Sequence, residues 1–275
     1  MARGVAVVTG GASGFGRAIA DRCAGAGFDV ALLDIDGARA AAEAEALAAA
    51  AGVRTIGWPV DVAEAAGVDA GAAAVERELG PADLVFSNVG VQQIGALERF
   101  TDDAWTWMLD VNVVGTARVA RAFLPQLRRS SAAHLAFTAS SSVLVPASNL
   151  AAYQATKFAV LGIAETLRLE LAGDGVQVHV LFPSGMTTRH LESSLLARPR
   201  SVDGDIAPAD DLDAMLASNA GFSTDVATAD DAARRVVDEV LAGEPYVVTH
   251  GDLLAGLADR QAAMTAAAER ARAGR

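Results

Sequence analysis

One pair of side chains in this sequence could carry proton-transfer chemistry. Lys157 lies four residues after Tyr153, and it is the only lysine in a chain whose other basic residues are all arginine. If both lie on a helix, a spacing of four places the ammonium beside the phenol. A phenol ordinarily loses its proton near pH ~10, and a nearby cation favours the phenolate. The pair therefore predicts a tyrosine acting as acid or base, although the spacing also fits a lysine lying along an amphipathic helix.

A glycine-rich turn near the N-terminus predicts a dinucleotide site. It joins an apolar run to a helical pattern and reads Thr9-Gly10-Gly11-Ala12-Ser13-Gly14-Phe15-Gly16. In such a turn the first motif glycine permits a tight exit from the strand, and the second lets a pyrophosphate approach the backbone. The third lets helix and sheet pack closely, while the helix N-terminus supplies amide donors. The sequence lacks the Gly-Lys-Ser/Thr of a kinase-type phosphate loop. The cofactor-binding residues predicted here are Gly10, Ser13, Gly14, Phe15 and Gly16.

Acidic residues at the ends of the next two predicted strands bear on the choice of cofactor. Asp34 follows Gly14 by twenty residues, which is where an acid accepts hydrogen bonds from the adenine ribose hydroxyls. Its charge would repel a 2′-phosphate, and Ile35 beside it supplies no arginine to bind one, so we expect NAD and not NADP. Asp61, followed by Val62, ends the third predicted strand. Contact with the adenine and capping of the next helix are equally good roles for Asp61.

These residues need a scaffold, and the apolar pattern predicts one. Short, continuously apolar runs alternate with longer helical patterns, which is typical of βαβ units around a parallel sheet covered by helices on both faces. We predict an α/β fold, a single Rossmann-type doubly wound domain with seven parallel strands over residues 1–250, and a helical tail over 251–275 that packs on the domain or on a neighbouring subunit. The predicted strands are Val5–Val8, Val30–Leu33, Thr55–Val60, Leu84–Ser87, Leu135–Thr138, Val176–Phe182 and Tyr246–Thr249. The predicted helices are Gly16–Ala26, Ala38–Ala51, Glu64–Leu79, Asp102–Arg128, Leu150–Leu171 and Asp230–Ala242.

A long irregular connection, Pro183 to about Thr228, is predicted to cover the substrate over residues 186–228. A connection of this length inside a compact domain is usually a lid or a binding loop. Its apolar side chains are expected either to contact a hydrophobic substrate or to form the core of the lid itself. His190 could contact a polar substituent or be a solvated loop residue. The apolar residues of the connection are Met186, Leu191, Leu195, Leu196, Met215, Leu216 and Phe222. The other walls are expected from Gln92, Gln93, Ile94, Leu144 and Val145.

Composition limits the class of protein. The formal net charge is −12, which repels phosphate backbones and anionic membranes, so neither nucleic acid nor a membrane is an expected partner. One cysteine and four scattered histidines assemble no metal site. The chain lacks an apolar run of about eighteen residues and the pattern of a signal peptide, so we expect a cytoplasmic protein.

Together these residues resemble the classical short-chain dehydrogenase/reductase family over nearly the whole chain. The resemblance rests on the glycine motif, Asp34 and Asp61, and on four later features. These are Ser87-Asn88-Val89-Gly90, Asn112, Ser140 thirteen residues before Tyr153, and Lys157. The resemblance implies that Asn112, Ser140, Tyr153 and Lys157 are catalytic.

The resemblance also implies a role for each of these residues. Tyr153 exchanges a proton with the substrate oxygen while hydride moves between the substrate carbon and a nicotinamide. Lys157 bonds the nicotinamide ribose and lowers the pKa of the phenol, helped by the positive charge of the oxidised cofactor. Ser140 donates a hydrogen bond to the carbonyl or alkoxide oxygen, and Asn112 holds a water that links Lys157 to solvent.

Two segments depart from the family pattern. Asn88 and Gly90 keep the polar side chain and flexible backbone expected near the adenosine ribose, but Val89 replaces the usual alanine. After the sixth strand the family tends to have Pro-Gly, whereas this sequence has Pro183-Ser184-Gly185. Pro183 and Gly185 are still expected at the cofactor, with Thr188 reaching its carboxamide or phosphates.

The sequence thus predicts an NAD-dependent short-chain alcohol dehydrogenase or ketone reductase. Its substrate would be a hydrophobic secondary alcohol or ketone, aromatic, alicyclic or steroid-like. The alternative is a non-catalytic NAD(H)-sensing protein, which would typically have lost one of the catalytic side chains. Sugar-nucleotide epimerase chemistry is disfavoured by the glycine spacing and by the lack of a large C-terminal substrate domain. The two long predicted helices Asp102–Arg128 and Leu150–Leu171 could pair across a two-fold axis, and the resemblance implies a homodimer or homotetramer.

Overall fold

The fold is built on one parallel sheet, seen in a computed structural model that describes residues 3–202, 206–219, 222 and 225–274. Over these residues the sheet has seven strands: β1 Val5–Thr9, β2 Asp29–Asp34, β3 Thr55–Pro59, β4 Leu84–Ser87, β5 Ala133–Thr138, β6 Val176–Phe182 and β7 Tyr246–Val248. Their order across the sheet is β3-β2-β1-β4-β5-β6-β7, and every neighbouring pair is parallel. The predicted seven-stranded, doubly wound α/β fold is confirmed.

Helices follow the strands as crossover connections. They are α1 Gly14–Gly25, α2 Gly37–Ala51, α3 Ala65–Glu78, α4 Asp102–Leu109, α5 Gly115–Leu127, α6 Ala151–Glu170, α7 His190–Ala197, α8 Ala209–Ser218, α9 Ala229–Ala233, α10 Val236–Leu241 and α11 Leu254–Ala273. A π-helical turn, Asp110–Val114, joins α4 to α5. Among the helices described, none is both long and apolar enough to cross a lipid bilayer.

The strands are continuously apolar because helices cover both faces of the sheet. Successive strand residues point to opposite faces. Val8 and Leu32 pack in one buried cluster together with residues of α1, α2, α9 and α10. Val7 and Leu33 pack in a second cluster with residues of α3, α5 and α6. Each face of the sheet therefore has its own core. The ends of the strands are not covered by these two cores and can form a site.

The long predicted helix Asp102–Arg128 is not a regular α-helix. The π-helical turn at Asp110–Val114 interrupts it. A π-turn contains one extra residue per turn and often marks a functional site within a helix. Here Asn112, at the centre of the turn, is fully buried and hydrogen-bonds the backbone of Val91. Apolar periodicity did not indicate this local change of helical pitch.

Three further expectations need correction or refinement. The predicted helix Asp230–Ala242 is two short helices, α9 and α10, with a break at Arg234 and Arg235. The connection after Pro183 is not irregular throughout, because α7 and α8 lie within it; residues 203–205, 220, 221, 223 and 224 of this segment lie outside the described residues. The tail is helical as predicted, but α11 buries none of its residues.

Candidate active site

A cleft of about 1620 Å³ lies at the carboxyl ends of the strands. Its walls are formed by the segments that follow β1 to β6. The strand order reverses between β1 and β4, and an open parallel sheet has its binding crevice at such a switch point. All the predicted site residues except Asn112 line this cleft: Gly10, Ser13, Gly14, Phe15, Gly16, Asp34, Asp61, Val62, Asn88, Gly90, Ser140, Tyr153, Lys157, Pro183, Gly185 and Thr188.

The glycine turn leaves one end of the cleft open to a ligand. Gly14 has a φ of 51°, a left-handed conformation that suits glycine, and it lines the cleft. Gly16 lies so close to Gly10 and Asn88 that a Cβ there would be 2.7 Å from Asn88 Nδ2. Ser13 occupies the N-cap position of α1 but its side chain caps no amide. The first amides of α1 thus remain available to an anionic group.

Asp34 is held at the same end of the cleft by backbone donors. Its Oδ2 accepts a hydrogen bond from Ala12 N at 3.1 Å, and its Oδ1 accepts one from Asp36 N at 3.1 Å. Sequence reasoning missed Arg39, which also lines this end. The available signal was its position three residues after Asp36, the N-cap of α2, which accepts from Arg39 N at 3.0 Å. An acid and a guanidinium therefore share this end of the cleft.

The contacts of Asp61 bear on the two roles left open for it. Its Oδ1 accepts a hydrogen bond from Ala63 N at 2.9 Å, in the turn that leads into α3. The same residue lines the cleft. The turn-capping contact is therefore present, and it leaves the second carboxylate oxygen able to meet a ligand.

A chain of hydrogen bonds connects the glycine turn to the lysine. Asn88 Nδ2 donates to Thr9 O at 3.2 Å, and Asn88 Oδ1 accepts from Thr138 Oγ1 at 3.1 Å. Thr138 O in turn accepts from Lys157 Nζ at 2.9 Å. Asn88 thereby couples the end of β1 to the end of β5. The ammonium of Lys157 is thus held in position by groups that also shape the glycine-turn end of the cleft.

Tyr153 and Lys157 lie one turn apart on α6, as their spacing predicts, with Nζ 5.6 Å from the centroid of the phenol ring. Ser140 follows β5 and forms a side-chain hydrogen bond with Tyr153. Its two neighbours are turned away: Ser141 donates to Ser184 Oγ, and Ser142 is fully buried. Of the three consecutive serines only Ser140 lines the cleft.

Burial dominates the ionisation of this pair. It raises the pKa of Tyr153 to about 12, with the Ser140 hydrogen bond acting in the opposite direction. It lowers the pKa of Lys157 to about 8. Both side chains are nearly inaccessible to water, so the charged form of each is penalised. In the chain without cofactor, burial therefore outweighs the effect of Lys157 on the pKa of the phenol. The predicted lowering of this pKa by Lys157, helped by the positive charge of an oxidised cofactor, stays a prediction.

Asn112 lies behind the cleft wall and not in it. Its Oδ1 accepts from Val91 N at 2.7 Å, and its Nδ2 donates to Val91 O and to Thr156 Oγ1, both at 2.9 Å. These bonds tie the segment after β4 to α6. Its predicted role in holding a water that links Lys157 to solvent stays a prediction.

The loop after β6 forms the wall of the cleft that faces the glycine turn. Gly185 O accepts from Ala227 N at 3.1 Å and lies 2.8 Å from His250 Nε2. Thr188 lies across Gly14, with side-chain atoms 3.8 Å from where a Cβ of Gly14 would be. Gly185 lies one residue later than the glycine of the usual Pro-Gly, but the chain that follows it still reaches the glycine turn at Gly14.

Apolar side chains surround the Tyr153 end of the cleft. Ile94, Leu150 and Met215 form a buried cluster with Tyr153, and four partly buried residues that line the cleft pack against it: Leu191, Leu212, Leu216 and Phe222. The same side chains thus form a small core and line the cleft, and their contact with a hydrophobic substrate stays a prediction. Four residues expected in the walls lie outside them: Gln93, Leu144, Val145 and Leu195.

His190, at the start of α7, is the polar side chain that sequence reasoning undervalued. Its ring meets the Tyr153 ring edge-on at a centroid distance of 6.4 Å, and it lines the cleft. Burial, with the nearby Lys157 ammonium as the smaller cause, lowers the pKa of His190 to about 4. It is therefore a neutral imidazole at physiological pH.

Comparison with known proteins is consistent with this geometry. A family model described as short chain dehydrogenase matches residues 4–198. The chain is 38% identical over 208 residues to the 1-deoxy-11-beta-hydroxypentalenate dehydrogenase of Streptomyces exfoliatus, covering 73% of each chain. A short chain dehydrogenase/reductase of Burkholderia phymatum, solved in complex with NAD, has a TM-score of 0.85 and 31% identity over 96% of this chain and 95% of its own. An alcohol dehydrogenase of the archaeon Thermococcus sibiricus, complexed with 5-hydroxy-NADP, has a TM-score of 0.65 and 29% identity over 69% and 79%.

Proposed function

This chain belongs to the short-chain dehydrogenase family of nicotinamide-dependent oxidoreductases, and from that premise we propose that it interconverts a secondary alcohol and a ketone with NAD. One observation carries the proposal: Ser140, Tyr153 and Lys157 converge at one end of a cleft whose other end is the glycine turn. An acid–base group and a dinucleotide cradle in one cleft are what a hydride-transfer enzyme requires.

The residues present fit a dinucleotide. The uncapped amides of α1 and the left-handed Gly14 suit a pyrophosphate, and the Asp34 carboxylate suits the adenine ribose. When bound, a nicotinamide supplies the redox chemistry by accepting hydride from the substrate carbon or returning it.

The chain itself handles the proton. In alcohol oxidation the hydroxyl proton of the substrate passes to the phenolate oxygen of Tyr153, and in ketone reduction the phenol returns it. Ser140, hydrogen-bonded to Tyr153, donates to the same substrate oxygen and stabilises the charge that develops there. Lys157, anchored on Thr138 O, stabilises the phenolate. Burial raises the pKa of Tyr153 to about 12 and so opposes formation of the phenolate. The positive charge of an oxidised nicotinamide would lower this pKa and add to the effect of Lys157.

A preference for NAD over NADP follows from the balance of charges at the adenosine end. Asp34, held by two backbone donors, would face a 2′-phosphate with a like charge, whereas Arg39 could bind that phosphate. Asp34 comes directly from β2 and is fixed, while the Arg39 side chain is exposed and lies 3.9 Å from Glu43. We therefore give the Asp34 carboxylate the greater weight.

Two substitutions test this preference. Asp34→Asn should lower the ratio of kcat/KM with NAD⁺ to kcat/KM with NADP⁺ about tenfold or more. Arg39→Ala should raise the same ratio.

A hydrophobic substrate is supported by the apolar cluster around Tyr153. Ile94 and Met215 fix the wall, and Leu212 and Leu216 of α8 present partly buried side chains to the cleft. A substrate body placed there would exchange water for apolar contacts. The Streptomyces relative acts, by its name, on a hydroxylated compound, which agrees with an alcohol as substrate.

Replacement of the phenol tests the proposal directly. We expect Tyr153→Phe to lower kcat for alcohol oxidation by at least about a hundredfold, since it removes the acid–base group, while NADH binding measured by fluorescence changes little. Tyr246→Phe is the matched control, because Tyr246 is the only other tyrosine, is half-exposed and hydrogen-bonds Glu165 away from the cleft. Turnover that survives in Tyr153→Phe as well as in Tyr246→Phe would refute the assignment.

The non-catalytic NAD(H)-sensing protein is the competing hypothesis. It predicts tight NADH binding without turnover of any alcohol or carbonyl compound. A sensor would typically have lost one of the three catalytic side chains, whereas Ser140, Tyr153 and Lys157 are all present. A panel of secondary alcohols of graded size, assayed with NAD⁺ and NADP⁺, separates the two hypotheses.

Assembly as a homodimer or homotetramer is the remaining part of the proposal. Leu169 on α6 is 81% exposed, and Leu109 and Val114 are exposed where α4 joins α5. These are the segments expected to pair across a two-fold axis. Light scattering after size exclusion should give a mass of two or four chains, and Leu169→Glu should lower it. A monomeric wild-type protein would refute this part alone.

A further inference from the structure

His190 stands out among the cleft residues because the proposed chemistry does not use it. Its imidazole lines the cleft beside the phenol of Tyr153, at an edge-on centroid distance of 6.4 Å. Its backbone carbonyl accepts from Ser194 Oγ, which in turn accepts from Gln92 N at 3.0 Å. These bonds fix the first turn of α7 to the segment after β4. No hydrogen bond joins the imidazole to another residue of the described chain.

The chemical character of the imidazole is set by its neighbours. Lys157 lies close enough to disfavour a second positive charge, and burial acts in the same direction. Arg189, which precedes α7, and Glu192 on α7 form an exposed ion pair near His190, so their two charges offset each other. A neutral imidazole presents one N–H donor and one nitrogen acceptor. It can therefore bind an uncharged hydroxyl or carbonyl oxygen but offers no charge to a carboxylate.

The surroundings limit where a ligand's polar group could be. The side chains that pack together with Tyr153 at this end are apolar, among them Ile94, Leu191, Met215 and Leu216. Tyr153 and Ser140 serve the reacting oxygen, so a second oxygen near that carbon would find its partner in His190. An oxygen placed against these apolar side chains would instead lose its hydrogen bonds to water.

We propose that His190 is a specificity-determining residue that binds a second, uncharged oxygen on the carbon next to the reacting one. The substrate class is then a vicinal diol or hydroxyketone on an otherwise apolar body. The inference rests on the proposed function and narrows it from secondary alcohols in general.

Matched pairs of alcohols test the inference. Cyclohexanol and its vicinal diol, and phenylpropanol and its vicinal diol, are oxidised with NAD⁺ and NADP⁺, and the ratio of kcat/KM for diol to kcat/KM for alcohol is measured. The wild-type protein should favour the diols. His190→Phe keeps the aromatic shape but removes both polar groups, and it should lower the ratio about three- to tenfold, the worth of one neutral hydrogen bond. His190→Gln keeps a donor and an acceptor and should retain part of the preference.

Leu195→Ala is the control on the same helix, since Leu195 is exposed and lies outside the cleft wall; it should leave the ratio unchanged. A ratio that is the same in wild type and His190→Phe, or that falls equally in Leu195→Ala, would overturn the inference. If the wild-type protein oxidises no alcohol with either cofactor, the proposed function itself fails. The two failures are thus distinguishable.

Discussion

Replacing Gly16 with alanine should distort the glycine turn, which should lower both the stability of the protein and its affinity for NAD. A Cβ at this position would lie 2.7 Å from Asn88 Nδ2 and 2.8 Å from Gly10 C, and closer still to Gly10 O. Cβ contacts below 3.0 Å essentially never occur in proteins, so α1 must move away from the end of β1. Gly16 is buried, and most of the obstructing atoms belong to the backbone. Side-chain rotation therefore cannot relieve the clash.

The size of the effect follows from known costs of overpacking. An inserted methyl in a tightly packed core costs about 1–3 kcal/mol, and we expect the upper end because backbone must shift. For a domain of this size that corresponds to a fall in Tm of roughly 5–10 °C. The shift also moves Asn88, which joins the end of β1 to Thr138. Saturating NAD, at about a hundred times Kd, should stabilise the wild type by about 2.7 kcal/mol and the variant by far less.

Gly25→Ala is the matched control because it makes the same change on the same helix. Nothing lies within 4 Å of a Cβ at Gly25, and a helical alanine there should be neutral or stabilising by about 0.5 kcal/mol. Thermal unfolding of the three proteins, each with and without NAD, provides both readouts. The reasoning is refuted if Gly16→Ala and Gly25→Ala unfold at the same temperature and gain equally from NAD.

Three further outcomes are expected. Ultraviolet titration of phenolate absorbance, with the Tyr153→Phe curve subtracted, should give Tyr153 a pKa near 12, and adding NAD⁺ should lower that pKa; ionisation near pH 10 without NAD⁺ would contradict the burial argument. His179 is buried, with Nε2 3.1 Å from His134 Nδ1, and burial lowers its pKa. The unfolded chain therefore takes up the proton first, so the free energy of unfolding should fall below pH ~6.5 by about 1.4 kcal/mol per unit of pKa difference; His179→Gln should flatten this fall in pH-dependent urea denaturation, and an unaltered curve would contradict it. Asp211 of α8 is buried and bonded by Arg99 and by Asn149 Nδ2; Asp211→Ala should release α8, raising substrate KM several-fold with a smaller change in kcat, and a change confined to kcat would argue against this.

Much of the site was predictable because its parts are local in sequence. A strand, a glycine turn and a helix follow one another within a dozen residues and form one end of the cleft. The four-residue step from Tyr153 to Lys157 needs only one helix to bring the two side chains together. Continuous apolar strands indicated a sheet covered on both faces, which the two buried clusters confirm.

The wrong or incomplete expectations concern contacts between distant segments. Asn112 bonds Val91 and Thr156, which are distant from it in sequence. Its position behind the cleft wall was therefore not predictable from the sequence. The pKa of Tyr153 depends on burial by Ile94, Leu150 and Met215, which come from three separate segments. A sequence pattern indicates which groups are present but not how much water reaches them.

The sequence by itself determined the fold class, the nucleotide turn and the Tyr153–Lys157 pair, because each depends on residues that are neighbours along one strand or helix. Only the tertiary structure decided that Arg39 shares one end of the cleft with Asp34 and that His190 lies beside the phenol. Those placements depend on how α2 and α7 pack at the edge of the sheet. Long-range packing of this kind is set by the whole core and leaves no periodic mark in the chain.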